Sequence, residues 1–204
     1  MIKKVKDENT EDKILNAAKE VFQTKGMNGA RMQEIADKAG INKAMLHYYY
    51  RSKQLLFEAV FKNAFSLIAP QLNAILNDDS SIEDKIKNFS FNYITFIVKH
   101  PYLPNFIIQE LNRNEDFILN IKNSPGFPNL EKFKNQVAIE VEKGILRPIS
   151  GEQLFINVLS LSVFPFIGRP LIKALANINE HDYNEIIERR KTEISDFIIN
   201  AIKQ

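Results

Sequence analysis

Apolar residues recur through most of this chain at the three- and four-residue spacing of helices, and polar turn residues interrupt them at intervals. Residues 11–24 place Ile14, Leu15, Ala18, Val21 and Phe22 on one stripe behind a Thr10 cap, while residues 1–9 are polar and aperiodic and read as a frayed arm. Two short segments follow, 32–39 and 43–49. A long one, 53–77, carries Leu56, Val60, Ala64, Leu67 and Ile68 at helical spacing, with Pro70 as the place for a bend. After the turn Asp78-Asp79-Ser80-Ser81, residues 82–99 align Ile82, Ile86, Phe89, Tyr93 and Phe96, and His100-Pro101 ends them. Shorter helices are expected over 103–112 and 115–121, a loop at 124–128, and a further helix over 129–143 stopping at Gly144. The last two segments are 153–167, apolar nearly all round, and 184–202, with Ile187, Ile194, Ile198 and Ile202 on one seam. The expected fold class is all-α.

Residues 32–53, MQEIADKAGINKAMLHYYYRSK, organise the rest. Ile35, Ala36 and Ala39 give the first short helix a small apolar face that a second helix can approach closely. Gly40 supplies the left-handed turn that ends it, Asn42 caps the next helix, and Leu46 pins that helix to the core. The spacing is that of a helix-turn-helix over about 32–51. It leaves Asn42, Lys43, Met45, His47 and Tyr48 facing outward, donors and flat groups suited to base edges and phosphates. Gln33 on the first helix joins them as a candidate, as does Lys53, which opens a helix where terminal N–H groups help hold a phosphate.

The flanks extend the pattern. With Thr10-Glu11-Asp12-Lys13-Ile14-Leu15-Asn16-Ala17-Ala18 upstream, then Phe22 and Lys25-Gly26, and Tyr49-Tyr50-Arg51-Ser52-Lys53-Gln54-Leu55-Leu56 downstream, residues 9–69 resemble the DNA-binding domain of the TetR family of bacterial transcriptional regulators. The turn Gly144-Ile145-Leu146-Arg147-Pro148 is also similar to that family. This chain departs from the family's usual small hydroxyl residue at Ala30 and Arg31, which passes a phosphate contact to Arg31. It also departs at His47, where tyrosine is frequent, and at Tyr50, where phenylalanine is. The resemblance implies an N-terminal three-helix domain joined by a long helix to a helical ligand-binding and dimerisation domain, residues 70–204. It also implies a palindromic operator on double-stranded DNA and a four-helix seam between two chains. Val158, Ile187, Ile194, Phe197 and Ile198, on the last two segments, are the expected interface residues.

Composition sharpens this only in places. The net charge is +2, yet between residues 23 and 55 Lys25, Arg31, Lys38, Lys43, Arg51 and Lys53 face only Glu34 and Asp37. The surplus lies on the DNA-reading element, as a phosphate footprint should. Cysteine is absent, which excludes disulfides and thiolate metal sites. With no signal segment and no apolar run of bilayer length, the sequence reads as a cytoplasmic protein without a membrane partner. His47, His100 and His181 are dispersed, and no HExxH, GxSxG or phosphate-cradling loop occurs. No enzyme activity, catalytic residue, metal or cofactor is therefore expected.

Thirteen of the 15 phenylalanines lie beyond residue 60. Rings on inward stripes of different helices suit a small hydrophobic ligand, so Phe89, Tyr93, Phe96, Phe106 and Phe164 are the expected lining, with Glu110 on the stripe of Phe106 for a cationic or hydroxylated group. The sequence thus points to a homodimeric regulator, a repressor released by a small apolar or aromatic molecule. Two other readings stand beside it: a helical protein-interaction module without DNA binding, and a DNA-binding regulator that takes no ligand.

Overall fold

A computed structural model describes residues 8–101, 103–113, 122 and 127–204. The expected helix over 115–121 and most of the loop 124–128 lie outside the described residues, as do positions 1–7 of the expected arm. The elements are α1 Glu8–Gly29, α2 Met32–Lys38, α3 Lys43–Tyr49, α4 Lys53–Asn77, α5 Ile82–Lys99, α6 Leu103–Arg113, α7 Glu131–Glu142, α8 Gly151–Ile167, α9 Arg169–Ala176 and α10 Glu180–Ile202. The protein is all-α. Apart from a single bridge between Leu146 and Lys203, the described residues hold no β pairing. No single described helix is long and apolar enough to cross a membrane.

The chain forms two compact units, Met1–Ser66 and Leu67–Gln204, and passes from one to the other within α4, which runs helically through Pro70. In the first unit, α1 begins three residues earlier than the Thr10 cap predicts and bends at Gly26, whose φ of 62° only glycine adopts freely. Ile14, Ala18, Val21 and Phe22 are buried along its stripe, and Phe22 meets Phe57 edge-on with ring centroids 5.1 Å apart. Tyr50, at the end of α3, is buried and donates its hydroxyl hydrogen to Glu11 at 2.7 Å, tying α3 to α1. Burial, then the Glu11 carboxylate, pushes the Tyr50 phenol well above its ordinary value.

In the second unit α8 is the hub, packing against α5, α6, α7, α9 and α10. This is the cover that its nearly continuous apolar sequence requires. Pro165 inside α8 lacks the N–H that would bond the Leu161 carbonyl. Arg190 of α10 supplies the missing donor, Nη2 to that oxygen at 2.8 Å, and Tyr183 donates its hydroxyl to the Pro165 carbonyl at 2.9 Å. A break in one helix thus becomes two cross-links to another. The sequence reading missed α9, because Gly168-Arg169-Pro170 reads as a stop, whereas proline near a helix start is well placed. It also began α10 late: Asn179, not a residue near Asn184, accepts the capping bond from the Asp182 N–H.

Lys85 is the least expected core residue, 1% exposed on the buried face of α5. Its Nζ donates to the carbonyls of Ile75 at 3.2 Å and Asp78 at 2.8 Å and to the Asp78 carboxylate at 2.7 Å. Lys132 adds a bond to the Asn77 carbonyl at 2.9 Å. Two ammonium groups therefore satisfy the carbonyls that the end of α4 leaves open, where the helix dipole favours cations. At Asp78 burial pulls the carboxyl upward, but the bonds from Lys85 and Ser80 prevail and hold it down to about 2. Glu83, bonded by Lys203 and Lys87, is also lowered to about 2. Both values lie below the unfolded ones, so their stabilisation is complete above about pH 5 and is lost as pH falls toward 2. Asp78→Asn is expected to destabilise the protein at pH 7 by about 1 kcal/mol and to flatten the decline in melting temperature between about pH 4 and 2, both read by thermal denaturation.

Candidate nucleic-acid interface

The turn between α2 and α3 is closed by two backbone bonds around Gly40. The Ile41 N–H reaches the Ala36 carbonyl at 3.0 Å and the Gly40 N–H reaches the Asp37 carbonyl at 3.1 Å, with Gly40 at φ 69°. This is the glycine-terminated helix end that residues 36–41 predict. One residue on, the Asn42 side chain accepts from the Met45 N–H at 2.8 Å and starts α3. Leu46 is fully buried and Tyr49 nearly so, which fixes the rotation of α3 about its axis. Lys43, Ala44, Met45, His47 and Tyr48 are consequently exposed, Tyr48 at 54%. The predicted reading face and its predicted anchor occupy opposite sides of one short helix.

Electrostatics narrows the basic surplus. Lys25 pairs with Glu34 at 2.7 Å and Lys38 with Glu20 at 2.6 Å, so neither is a free cation. Arg31, Lys43 and Arg51 are exposed, and their side chains make no hydrogen bond or ion pair among the described residues. Arg51 was not singled out as a site residue from sequence, although it belongs to the basic cluster there. Its backbone carbonyl lies 3.4 Å from Nδ1 of the exposed His47. Gln33 gives its amide to Asp37 at 2.7 Å and Asn42 uses its carbonyl oxygen as a cap, so each keeps only part of its capacity for DNA. Lys53 turns inward: its Nζ donates to the Ala30 carbonyl at 2.9 Å and approaches the Asn28 carbonyl at 3.4 Å.

Of the residues expected to line a ligand space, four have described side chains. Phe89, 2% exposed, stacks on Tyr93 at 5.4 Å and meets Phe155 edge-on at 5.7 Å, while Phe96 lies against His100 at 4.5 Å. A cavity of about 10 Å³ touches Phe89, Phe133, Phe155 and Lys85, room for about one water. Phe164 is 53% exposed on α8, a correction to its expected inward position. The side chains of Phe106 and Glu110 lie outside the described residues. Polar groups do collect on α5: Ser90 Oγ and Thr95 Oγ1 are buried without a hydrogen-bond partner, and burial pushes the Tyr93 phenol up to about 12.

Four of the five expected seam residues are buried within one chain. Val158, Ile187, Ile194 and Ile198 are 3–5% exposed and belong to the core of a single chain, where α10 packs on α5 and α8. Phe197 is the exception at 63% exposed, and with Ile156 and Phe164, each at 53%, it marks apolar surface on α8 and α10.

Residues 14–60 match the model for bacterial regulatory proteins of the tetR family. A protein described as "Probable HTH-type transcriptional regulator YttP" from Bacillus subtilis is 26% identical over 180 residues, covering 85% of this chain and 85% of that protein. The HTH-type transcriptional repressor NicS of Pseudomonas putida is 29% identical over 146 residues, 70% of this chain and 62% of the repressor. The crystal structure of a transcriptional regulator of the TetR/AcrR family from Thermobifida fusca shares the fold, with a TM-score of 0.63 at 16% identity over 95% of this chain and 98% of its own.

Proposed function

Because the chain belongs to the TetR family of bacterial transcriptional regulators and carries its DNA-binding helix-turn-helix, we propose that it acts in the cytoplasm as a homodimeric repressor whose hold on a palindromic operator is released by a small molecule. The observation that carries the DNA contacts is the division of α3. Leu46 is buried while Lys43, Met45, His47 and Tyr48 are exposed, as are Arg31 and Arg51, whose side chains are unpaired among the described residues. Lys43, Arg31 and Arg51 would hold phosphates, His47, Tyr48 and Met45 would meet base edges and methyl groups, and Gln33 and Asn42 would add their remaining donors. Binding should weaken steeply with salt, with log affinity falling linearly in log salt. A protein-interaction module using the same aromatic cluster would show a nearly flat dependence.

Outward apolar rings on α8 and α10, Phe164 and Phe197, support a two-fold contact through those helices, as a two-fold operator requires. Ser90, unsatisfied and one helical turn from Tyr93 on α5, supports a ligand against that helix that brings a hydrogen-bonding group as well as apolar surface. Any such ligand would reach the DNA-binding unit through α4, whose 25 residues span about 37 Å. A hundredfold preference for the released state corresponds to about 2.7 kcal/mol of coupling. Thermal denaturation against flat aromatic and fatty compounds is expected to yield one that raises the melting temperature and weakens operator binding. A compound that does the first without the second would remove the switch.

A further inference from the structure

We propose that Met45 is a modification site of the DNA interface: a peroxide converts its thioether to the sulfoxide, and the sulfoxide releases the chain from DNA. This rests on the DNA-binding reading of α3. Sulfur is confined to one stretch of the sequence. Cysteine is absent, and the four methionines, Met1, Met27, Met32 and Met45, all precede residue 46. A peroxide therefore finds its thioethers in the DNA-binding unit, Met1–Ser66, and none in the second unit.

Among the three methionines with described side chains, Met45 is the most accessible. Met27 and Met32 are half-buried, whereas Met45 is 37% exposed. Its place is fixed through its own backbone: the Met45 N–H donates to the Asn42 side-chain oxygen at 2.8 Å, which holds it in the first turn of α3, and Leu46 beside it is fully buried. Tyr48, also exposed, lies three residues on along the same face. The early residues of a recognition helix are the ones that reach base edges in the major groove, where an apolar side chain suits a thymine methyl. In the oxidation the sulfur attacks one oxygen of hydrogen peroxide, an S–O bond forms, the O–O bond breaks, and the proton of the transferred hydroxyl passes to the departing oxygen, which leaves as water. Sulfur gives up two electrons and the peroxide takes them. A weak acceptor becomes a strongly polar oxygen, which against a methyl group or a phosphate is desolvated without a donor. The change falls on an exposed side chain outside the core, so the fold withstands it. Methionine sulfoxide reductases, with a thiol as reductant, return the thioether.

The test treats the native chain, Met45→Leu, and the double variant Met27→Leu, Met32→Leu with hydrogen peroxide. Affinity for a duplex that the native chain selects from random sequence is compared with that of the same chain untreated, so that any altered starting affinity of a variant cancels. Mass spectrometry of peptides reports the oxygen gained at each methionine. With Met45 oxidised, the native chain and the double variant are each expected to lose at least about tenfold in affinity, to keep their melting temperature, and to recover binding with the reductase. Met45→Leu, oxidised at its other methionines, should lose no more than about twofold. Equal losses in the native chain and Met45→Leu would overturn the proposal, as would a double variant that loses nothing or a native chain that carries the Met45 sulfoxide and binds as before. So would a Met45 that peroxide leaves untouched while Met27 and Met32 are oxidised. An untreated native chain that selects no duplex would overturn the DNA-binding reading, and this inference with it.

Discussion

Lys43→Ala and Tyr48→Ala together are expected to reduce affinity for a specific operator by at least about a hundredfold, taking each DNA contact as worth about 1–3 kcal/mol. The melting temperature should barely move. Both side chains are exposed, Tyr48 at 54%, and the edge-on contact of Tyr48 with Tyr49, ring centroids 5.6 Å apart, is peripheral to the fully buried Leu46 anchor. Surface substitutions of this kind ordinarily shift stability by less than about 0.5 kcal/mol. Electrophoretic or anisotropy titration with the operator, paired with thermal denaturation, separates the two effects. A double variant that still binds would exclude this face of α3 as the reader.

Ile194→Asp with Ile198→Asp is expected to unfold the chain, whereas Phe164→Asp with Phe197→Asp should leave it folded and monomeric. The isoleucines are 5% and 3% exposed in the core, where an unpaired carboxylate costs several kcal/mol, a large part of a total stability of about 5–15 kcal/mol. The phenylalanines are exposed at 53% and 63%, so each chain tolerates charge there. A two-fold contact would not, because each charge would be desolvated against apolar surface on the partner. Circular dichroism and sedimentation distinguish the cases. A folded dimer from the phenylalanine pair would place the contact on another surface.

The contrast between these pairs shows what periodicity conveys. The stripe Ile187, Ile194, Ile198 and Ile202 was legible in the sequence, and every one of these residues is buried. What periodicity does not say is against what: a chain's own core and a partner's surface select the same residues, and here the core has them. Phe197 falls off that stripe and is exposed. The helix-turn-helix was more legible because its determinants are local. Gly40, Asn42 and Leu46 act within one or two helical turns, through a left-handed backbone, a cap and an anchor. Long-range partners left weaker traces. Lys85 stands next to Ile86 on an otherwise apolar stripe, and nothing in its neighbours announces that the end of α4 would accept its protons. Lys53 was read only as a phosphate ligand, and nothing near it in sequence announces its bond to the Ala30 carbonyl, 23 positions away.

In the proposed complex two copies of α3 read one palindromic site. Hydroxyl-radical footprinting of the native chain on a duplex selected from random sequence tests it most directly. The account predicts two protected half-sites related by a two-fold axis, their centres about 34 Å or one turn of DNA apart, with protection lost in Lys43→Ala, Tyr48→Ala. A single protected site without symmetry, or none at any salt concentration, would contradict it.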